Sequence, residues 1–354
     1  MRARPEVVVV GAGVVGLSVA FHLARGGASV RVLERAGVGA GASGVQPGGV
    51  RQQWGTRVNC LLARESMGFY RDARELLRMR IDPAFQACGY LFLAHSEAAF
   101  ARMRKNVRLQ NELGIASRIL TATEAAEHVP GLAVDGVVGA AWNGDDGYFD
   151  RPQSVVEALG ALADVQIHHV ADVDELEAEA IVVAAGADTP RLLPELPIRR
   201  EERYLFFSDP IGERLLEALV VSPERRFAAK QLGDGRLLAS DLSARGEASA
   251  EMDGWRANLR RAFEELLPRL VFVPLPTLVS GSYDVTPDHQ AIIGRVRDRV
   301  WVAAGFSGHG FMVAPAVGRI IADAVIDGRE DPILTVLDAQ RFSEGRLVLE
   351  PEVV

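Results

Sequence analysis

The sequence predicts an α/β protein in which a Rossmann-like parallel-sheet domain is interleaved with an α+β domain built on a mainly antiparallel sheet. Three observations predict it. An apolar run, Val7 to Val10, leads straight into Gly11-Ala12-Gly13-Val14-Val15-Gly16. Strand-then-glycine-then-helix signals recur in the middle and at the end of the chain. Hairpin-like alternation fills the stretches between them.

The opening unit reads as strand, glycine turn, helix and second strand, the last ending on Glu34. Gly11 permits the tight turn, Gly13 lets the backbone approach a pyrophosphate, and Gly16 lets helix and strand pack closely. Ala12, Val14 and Val15 complete the loop and the first helical turn, where free N–H groups and the positive dipole end suit phosphate. Glu34 is placed to accept from a ribose hydroxyl, and Arg35 follows it. A carboxylate there repels a 2′-phosphate, so FAD or NAD is favoured over NADP.

After Glu34 comes a glycine-rich loop over 37–49, with Ala42, Ser43, Gly49 and Val50 as candidate cofactor contacts. A long helix is predicted over 56–79, a strand over 88–94 and a helix over 97–113. Thr121-Ala122-Thr123-Glu124 carries an N-cap signature. Val165, Ile167 and Val173 suggest one or two more strands, and 180–185 is a short parallel strand ending in Ala185-Gly186. Hairpins are expected over 204–240, with Gly233-Asp234-Gly235 as a turn. A helix over 255–267, strands over 277–283 and 300–304, and a closing helix to about 326 complete the chain. The expected division is 1–82, 143–197 and 281–345 for the Rossmann-like domain, with 83–142 and 198–280 for the other.

Composition bounds the function. The 354 residues suffice for two cores, and 48% hydrophobic with 24% charged residues is ordinary for a globular protein. A net charge of −8 argues against nucleic acid or an anionic membrane as partner. No apolar run reaches the roughly 18 residues that span a bilayer. Met1 to Pro5 lacks a signal-peptide pattern. Two cysteines, Cys60 and Cys88, are too few for a disulfide framework or a zinc site. A cytoplasmic location and no metal are the resulting expectations.

Four segments together carry a resemblance. They are the N-terminal fingerprint, Val182-Val183-Ala184-Ala185-Gly186-Ala187, Tyr283-Asp284-Val285-Thr286-Pro287-Asp288, and Ala304-Gly305-Phe306-Ser307-Gly308-His309-Gly310-Phe311. Over residues 6–328 the chain resembles the FAD-dependent amino-acid oxidoreductases of the D-amino-acid oxidase and sarcosine oxidase superfamily. Gly49-Val50-Arg51-Gln52-Gln53-Trp54 is most similar to β-type subunits of sarcosine oxidase and L-proline dehydrogenase.

The resemblance implies that the Rossmann-like domain binds FAD and that Gly308, His309, Gly310, Phe311 and Met312 meet the N1–O2 edge of the flavin. It implies that Arg51 faces flavin and substrate, that Ser43 and Ala42 meet the pyrophosphate or ribityl chain, and that Val173 presents its backbone to adenine. A guanidinium suits a substrate carboxylate by bidentate hydrogen bonding. Tyr283 and Tyr204 are pocket candidates, and His309 is a donor candidate beside the flavin.

Departures from the family pattern narrow the reading. The position that carries the flavin-attaching cysteine in monomeric sarcosine oxidases is Gly281 here, so the FAD is expected to be non-covalent. Their carboxylate-binding lysine is replaced by Met312. Their oxygen-activating lysine should fall near 237–240, where there is none; Lys230 lies on an earlier segment. The implied activity is oxidation of the C–N bond of a small secondary or N-methyl amino acid to an imine, by hydride transfer to flavin N5. The alternatives are a dehydrogenase subunit passing electrons to a partner, and a non-catalytic FAD-binding assembly factor.

Overall fold

The computed structural model describes residues 6–350, so Met1 to Pro5 lie outside the described residues. A six-stranded sheet runs in the order Ile292–Arg297, Val300–Ala304, Ala180–Val183, Glu6–Val10, Ser29–Glu34 and Val165–Ile167. Its strands are parallel except Ile292–Arg297, which pairs antiparallel with Val300–Ala304. That edge strand was not legible in the sequence.

The valines of Glu6–Val10 are all buried, because parallel strands covered on both faces must be apolar throughout. The helices Val14–Gly26 and Gly310–Asp327 pack together on one face. They approach so closely that a Cβ on Gly318 would lie 2.6 Å from the Ser18 hydroxyl. Val313, Val317, Ile320, Ile321 and Ala324 form the buried face of the closing helix.

A second sheet has eight strands, in the order Thr277–Val285, Arg199–Pro210, Arg236–Asp241, Phe227–Gln231, Leu219–Ser222, Tyr90–Ala94, Gly139–Asn143 and Arg118–Leu120. It is antiparallel except where Leu219–Ser222 meets Tyr90–Ala94. The helix Ala248–Leu266 lays Trp255, Leu259, Phe263 and Leu266 on its core. A small three-stranded sheet, Gly49–Val50, Gly147–Phe149 and Phe85–Gln86, links the loop after Ser43 to the larger sheet's side of the molecule.

Three local expectations are corrected. The helix over 56–79 breaks into Arg57–Arg71 and Ala73–Leu76. At the break, the Asp72 amide turns back to Phe69 and Tyr70, and aspartate is a weak helix-interior residue. Val173 is in no strand: Asp172 accepts from the Asp174 amide and Val173 from the Leu176 amide, which turns the chain. The strand Thr277–Val285 pairs with Arg199–Pro210 along its whole length, so the boundary expected at 281 falls inside one strand. The N-cap at Thr121 is a complete capping box with Glu124.

Candidate active site

A cavity of about 650 Å³ runs from the carboxyl ends of the parallel strands to the antiparallel sheet. Ligands in open α/β sheets bind at those strand ends, where loops diverge and helix N-termini converge. At one end the wall is Gly11, Gly13, Val14, Val15, Glu34 and Arg35. Gly11 has φ +110, a conformation that side chains rarely adopt, and a Cβ there would strike the Ala184 carbonyl. Gly16 is behind the wall, packed against the Gly11 carbonyl. Ala12 is fully buried and donates its amide to Glu34 Oε2 at 2.9 Å.

Glu34 thus does two jobs. Its Oε2 holds the glycine loop and its Oε1 accepts from the Ala36 amide at 2.8 Å. Ser43 Oγ accepts from the Val14 amide at 2.9 Å, so the glycine-rich loop is fastened to the helix start. Ala42, Ser43 and Gly49 line one side of the cavity, and Ala185 and Gly186 the other. Arg35 meets Asp188 at 2.6 Å across this end.

Val173 is not at the cavity. Its side chain is fully buried in the apolar cluster beside the parallel sheet, and residues 168–171 form the wall there. Val50 is also buried behind the wall.

The other end is built by Arg51, Tyr283 and the run Gly308 to Met312. The Arg51 guanidinium lies 3.9 Å from the Trp54 ring centroid and 5.1 Å from that of Phe92, and Nη1 donates to the Gln53 carbonyl at 2.6 Å. Arg51 is 1% exposed, so it is no solvated loop arginine. His309 stands edge-on to the same Trp54 ring at 4.5 Å. Burial first, and then the nearby Arg51 charge, hold its pKa well below the usual histidine value. The imidazole is therefore neutral, and its buried Nε2 has no hydrogen-bond partner among the described residues.

Gly308 lets the loop pass against the Tyr283 ring, where a Cβ would collide. Asp284, raised to about 6 by burial, accepts from the Gly305 amide at 2.7 Å and fixes the turn that presents His309. Tyr204 is mostly core: it stacks on Trp255 at 4.8 Å and donates to the Gly246 carbonyl.

The segment 237–240 has no lysine, but the neighbouring strand brings Lys230 beside it. Lys230 is 1% exposed and lines the cavity. It pairs across the strands with Leu238, inside the segment where the family pattern placed its cation. Its Nζ donates to the Pro47 carbonyl and lies 3.9 Å from the Tyr148 ring centroid. Burial lowers its pKa to about 7. The signal was present in Phe227-Ala228-Ala229-Lys230-Gln231: period-2 alternation sets Lys230 on the face opposite Phe227 and Ala229, which are core. Tyr90 and Asp146 carry no motif and were missed.

The bare glycine loop, the carboxylate at the second strand end and the partnerless imidazole nitrogen together fit a dinucleotide with a polar ring system at the far end. Residues 6–324 match the family model described as FAD dependent oxidoreductase. The chain belongs to that family. Its cofactor is accordingly FAD.

The family includes oxidases and dehydrogenases acting on amino acids. The chain is 28% identical to FAD-dependent oxidoreductase domain-containing protein 1 of Bos taurus, over 92% of this chain and 82% of that one. It is 26% identical to 4-methylaminobutanoate oxidase (formaldehyde-forming) of Paenarthrobacter nicotinovorans, over 96% of this chain and 46% of that one. The fold matches the crystal structure of L-proline dehydrogenase from P. horikoshii with TM-score 0.87 at 24% identity, covering 98% of this chain and 100% of that one. No helix among the described residues is long and apolar enough to cross a membrane.

Proposed function

We propose that this FAD-dependent oxidoreductase oxidises the C–N bond of a small secondary or N-methyl amino acid to an imine, which water then hydrolyses. The observation that carries the reading is Arg51: a buried guanidinium in the cavity wall, on the same tryptophan as the flavin-edge histidine. The planar fork of Arg51 lies in the cavity wall, and that geometry suits the carboxylate of a ligand.

The six-stranded sheet and its glycine loop hold the cofactor, and the eight-stranded sheet roofs the substrate. FAD, when bound, supplies the chemistry by accepting a hydride at N5. The chain's own residues position and polarise. Glu34 accepts from the ribose while holding the Ala12 amide. Gly308 to Met312 bring backbone N–H groups and a helix N-terminus to the reacting end. His309 stays neutral and offers a ring nitrogen. Neither Tyr283 nor Tyr90 serves as base at neutral pH, because burial raises both hydroxyls above the usual value. If the substrate amine binds in its neutral form, no protein base is required.

Lys230 favours direct reaction with O2 over transfer to a partner subunit, since a fixed buried cation stabilises anionic oxygen as it forms. The relative named 4-methylaminobutanoate oxidase supports an N-methyl amino acid as substrate class. The test is a screen of secondary and N-methyl amino acids that follows flavin bleaching at constant oxygen. Bleaching by such amino acids, with hydrogen peroxide released, is expected. Bleaching without peroxide release, with turnover only when an artificial electron acceptor is added, would mark a dehydrogenase subunit. No bleaching by any amine would mark a binding or assembly role.

A further inference from the structure

Arg51 is held by its neighbours. Its guanidinium folds back onto the Gln53 carbonyl, and Trp54 Nε1 donates to the Arg51 carbonyl at 3.2 Å. This short loop needs an anchor on the opposing wall. The anchor is Asp146, fully buried in the turn between Gly139–Asn143 and Gly147–Phe149. Its Oδ1 accepts from the Gln52 amide at 2.9 Å and from Gln52 Nε2 at 3.3 Å. Its Oδ2 accepts from Gln53 Nε2 at 3.3 Å, and that nitrogen also donates to the Tyr90 carbonyl at 3.1 Å. The Asp146 carbonyl accepts from the Gly89 amide, which fixes the turn to the strand holding Tyr90.

We propose that Asp146 is the positioning residue for Arg51: by gripping the Gln52 amide and both glutamine side chains it sets where the guanidinium stands, and with it the affinity for the substrate carboxylate. This rests on the proposed role of Arg51. Asp146 does not line the cavity. It acts through the two residues that follow the arginine. A carboxylate fits the task because it accepts from several donors at once, whereas a carboxamide turns one acceptor into a donor facing Gln53.

A pH signature follows. Burial raises Asp146 to about 7, opposed by its bonds to Gln52 and Gln53 and by the Arg51 charge. Lys230, in the wall of the same cavity, also titrates near neutrality, so the Asp146 share is the pH dependence that Asp146→Asn removes. Cys60, on Arg57–Arg71, is pushed up to about 12 by burial, and the Tyr90 hydroxyl is raised by burial. An arginine is charged throughout this range, and burial holds His309, beyond it, well below the usual histidine value. The grip is therefore complete above about pH 7 and loosens as pH falls through it.

The test uses the FAD-loaded full chain and pyrrole-2-carboxylate, a non-oxidisable analogue of a cyclic secondary amino acid, titrated by the change in flavin absorbance from pH 6 to 8.5. In the wild type, Kd should rise as pH falls below 7. Asp146→Asn should weaken binding about tenfold or more at pH 8 and flatten the pH dependence, with FAD content unchanged. Gln53→Ala, which leaves the buried carboxylate in place, should give an intermediate loss and serves if Asp146→Asn fails to fold. Arg51→Ala should abolish binding. If Arg51→Ala abolishes it while both other variants bind like wild type, the positioning role is overturned and the Arg51 reading stands. If Arg51→Ala binds like wild type, or the wild type does not bind the probe, the carboxylate reading itself fails.

Discussion

Lys230 stands directly opposite Leu238 in the antiparallel pair Phe227–Gln231 and Arg236–Asp241. Cross-strand partners share a face, so its ammonium reaches the cavity from the strand beside the one where the family pattern carries a lysine. Replacing Lys230 by Met should slow reoxidation by O2 about 10²-fold, on the scale of losing one preorganised stabiliser, and leave anaerobic flavin reduction nearly unchanged. In the wild type, oxygen reactivity should fall as pH rises through about 7, where the ammonium is lost. Stability should move the other way. The lysine binds its proton less tightly folded than unfolded, so stability rises with pH above about 7, and Lys230→Met should raise the melting temperature at or below that pH. Rapid-mixing kinetics and thermal melts check both halves.

Acid precipitation of the yellow protein should release all its FAD into the supernatant. Gly281 lines the cavity where an attaching cysteine would stand. Flavin colour that stays with the pellet would reveal another attachment point.

Replacing Glu34 by Ala should weaken FAD binding at least tenfold, since hydrogen bonds to charged groups contribute about 1.5–3 kcal/mol. The same change frees the Ala12 amide, so the glycine loop loosens with it. Equilibrium titration of the apoprotein with FAD measures this, and an unchanged affinity would remove Glu34 from the cofactor site.

Arg51→Ala should lower kcat/KM for the best amino-acid substrate by about 2–4 kcal/mol in transition-state terms, the scale of a lost buried charge contact. Arg51→Lys keeps the charge and loses the fork, so only partial activity is expected. FAD content should be equal in all three proteins. A wild-type preference for amines lacking a carboxylate would overturn the assignment.

Arg341 and Asp288 are both fully buried and paired at 2.8 Å, joining the loop before the last strands to the C-terminal segment. Arg341→Leu strands a buried carboxylate, and breaking such a pair costs about 3–5 kcal/mol. Chemical denaturation should show a loss of that size, with a wild-type-like midpoint arguing that the pair is dispensable.

The fingerprint was legible because each glycine answers a local demand: a positive φ at Gly11 and a close helix contact at Gly16. The capping box at Thr121 and the strand Val300–Ala304 were legible for the same reason. The edge strand Ile292–Arg297 and the turn at Val173 were not, since short apolar stretches read alike whether they pair or turn.

What the sequence determined by itself is therefore local or carried by motif: the fold class, the FAD family, the glycine loop with Glu34, and the motifs whose Arg51 and His309 line the cavity. What only the tertiary structure decided is register and burial. Lys230 lies several residues upstream of the segment 237–240, and the antiparallel register alone sets it across from Leu238. Asp146 is 94 residues from Gln52, and the folded turn alone brings its carboxylate under the Arg51 loop. Sequence spacing encodes which face of a strand or helix a residue occupies, but pairing across strands far apart in the chain depends on how the whole core packs, and burial then sets the charge state of what meets there.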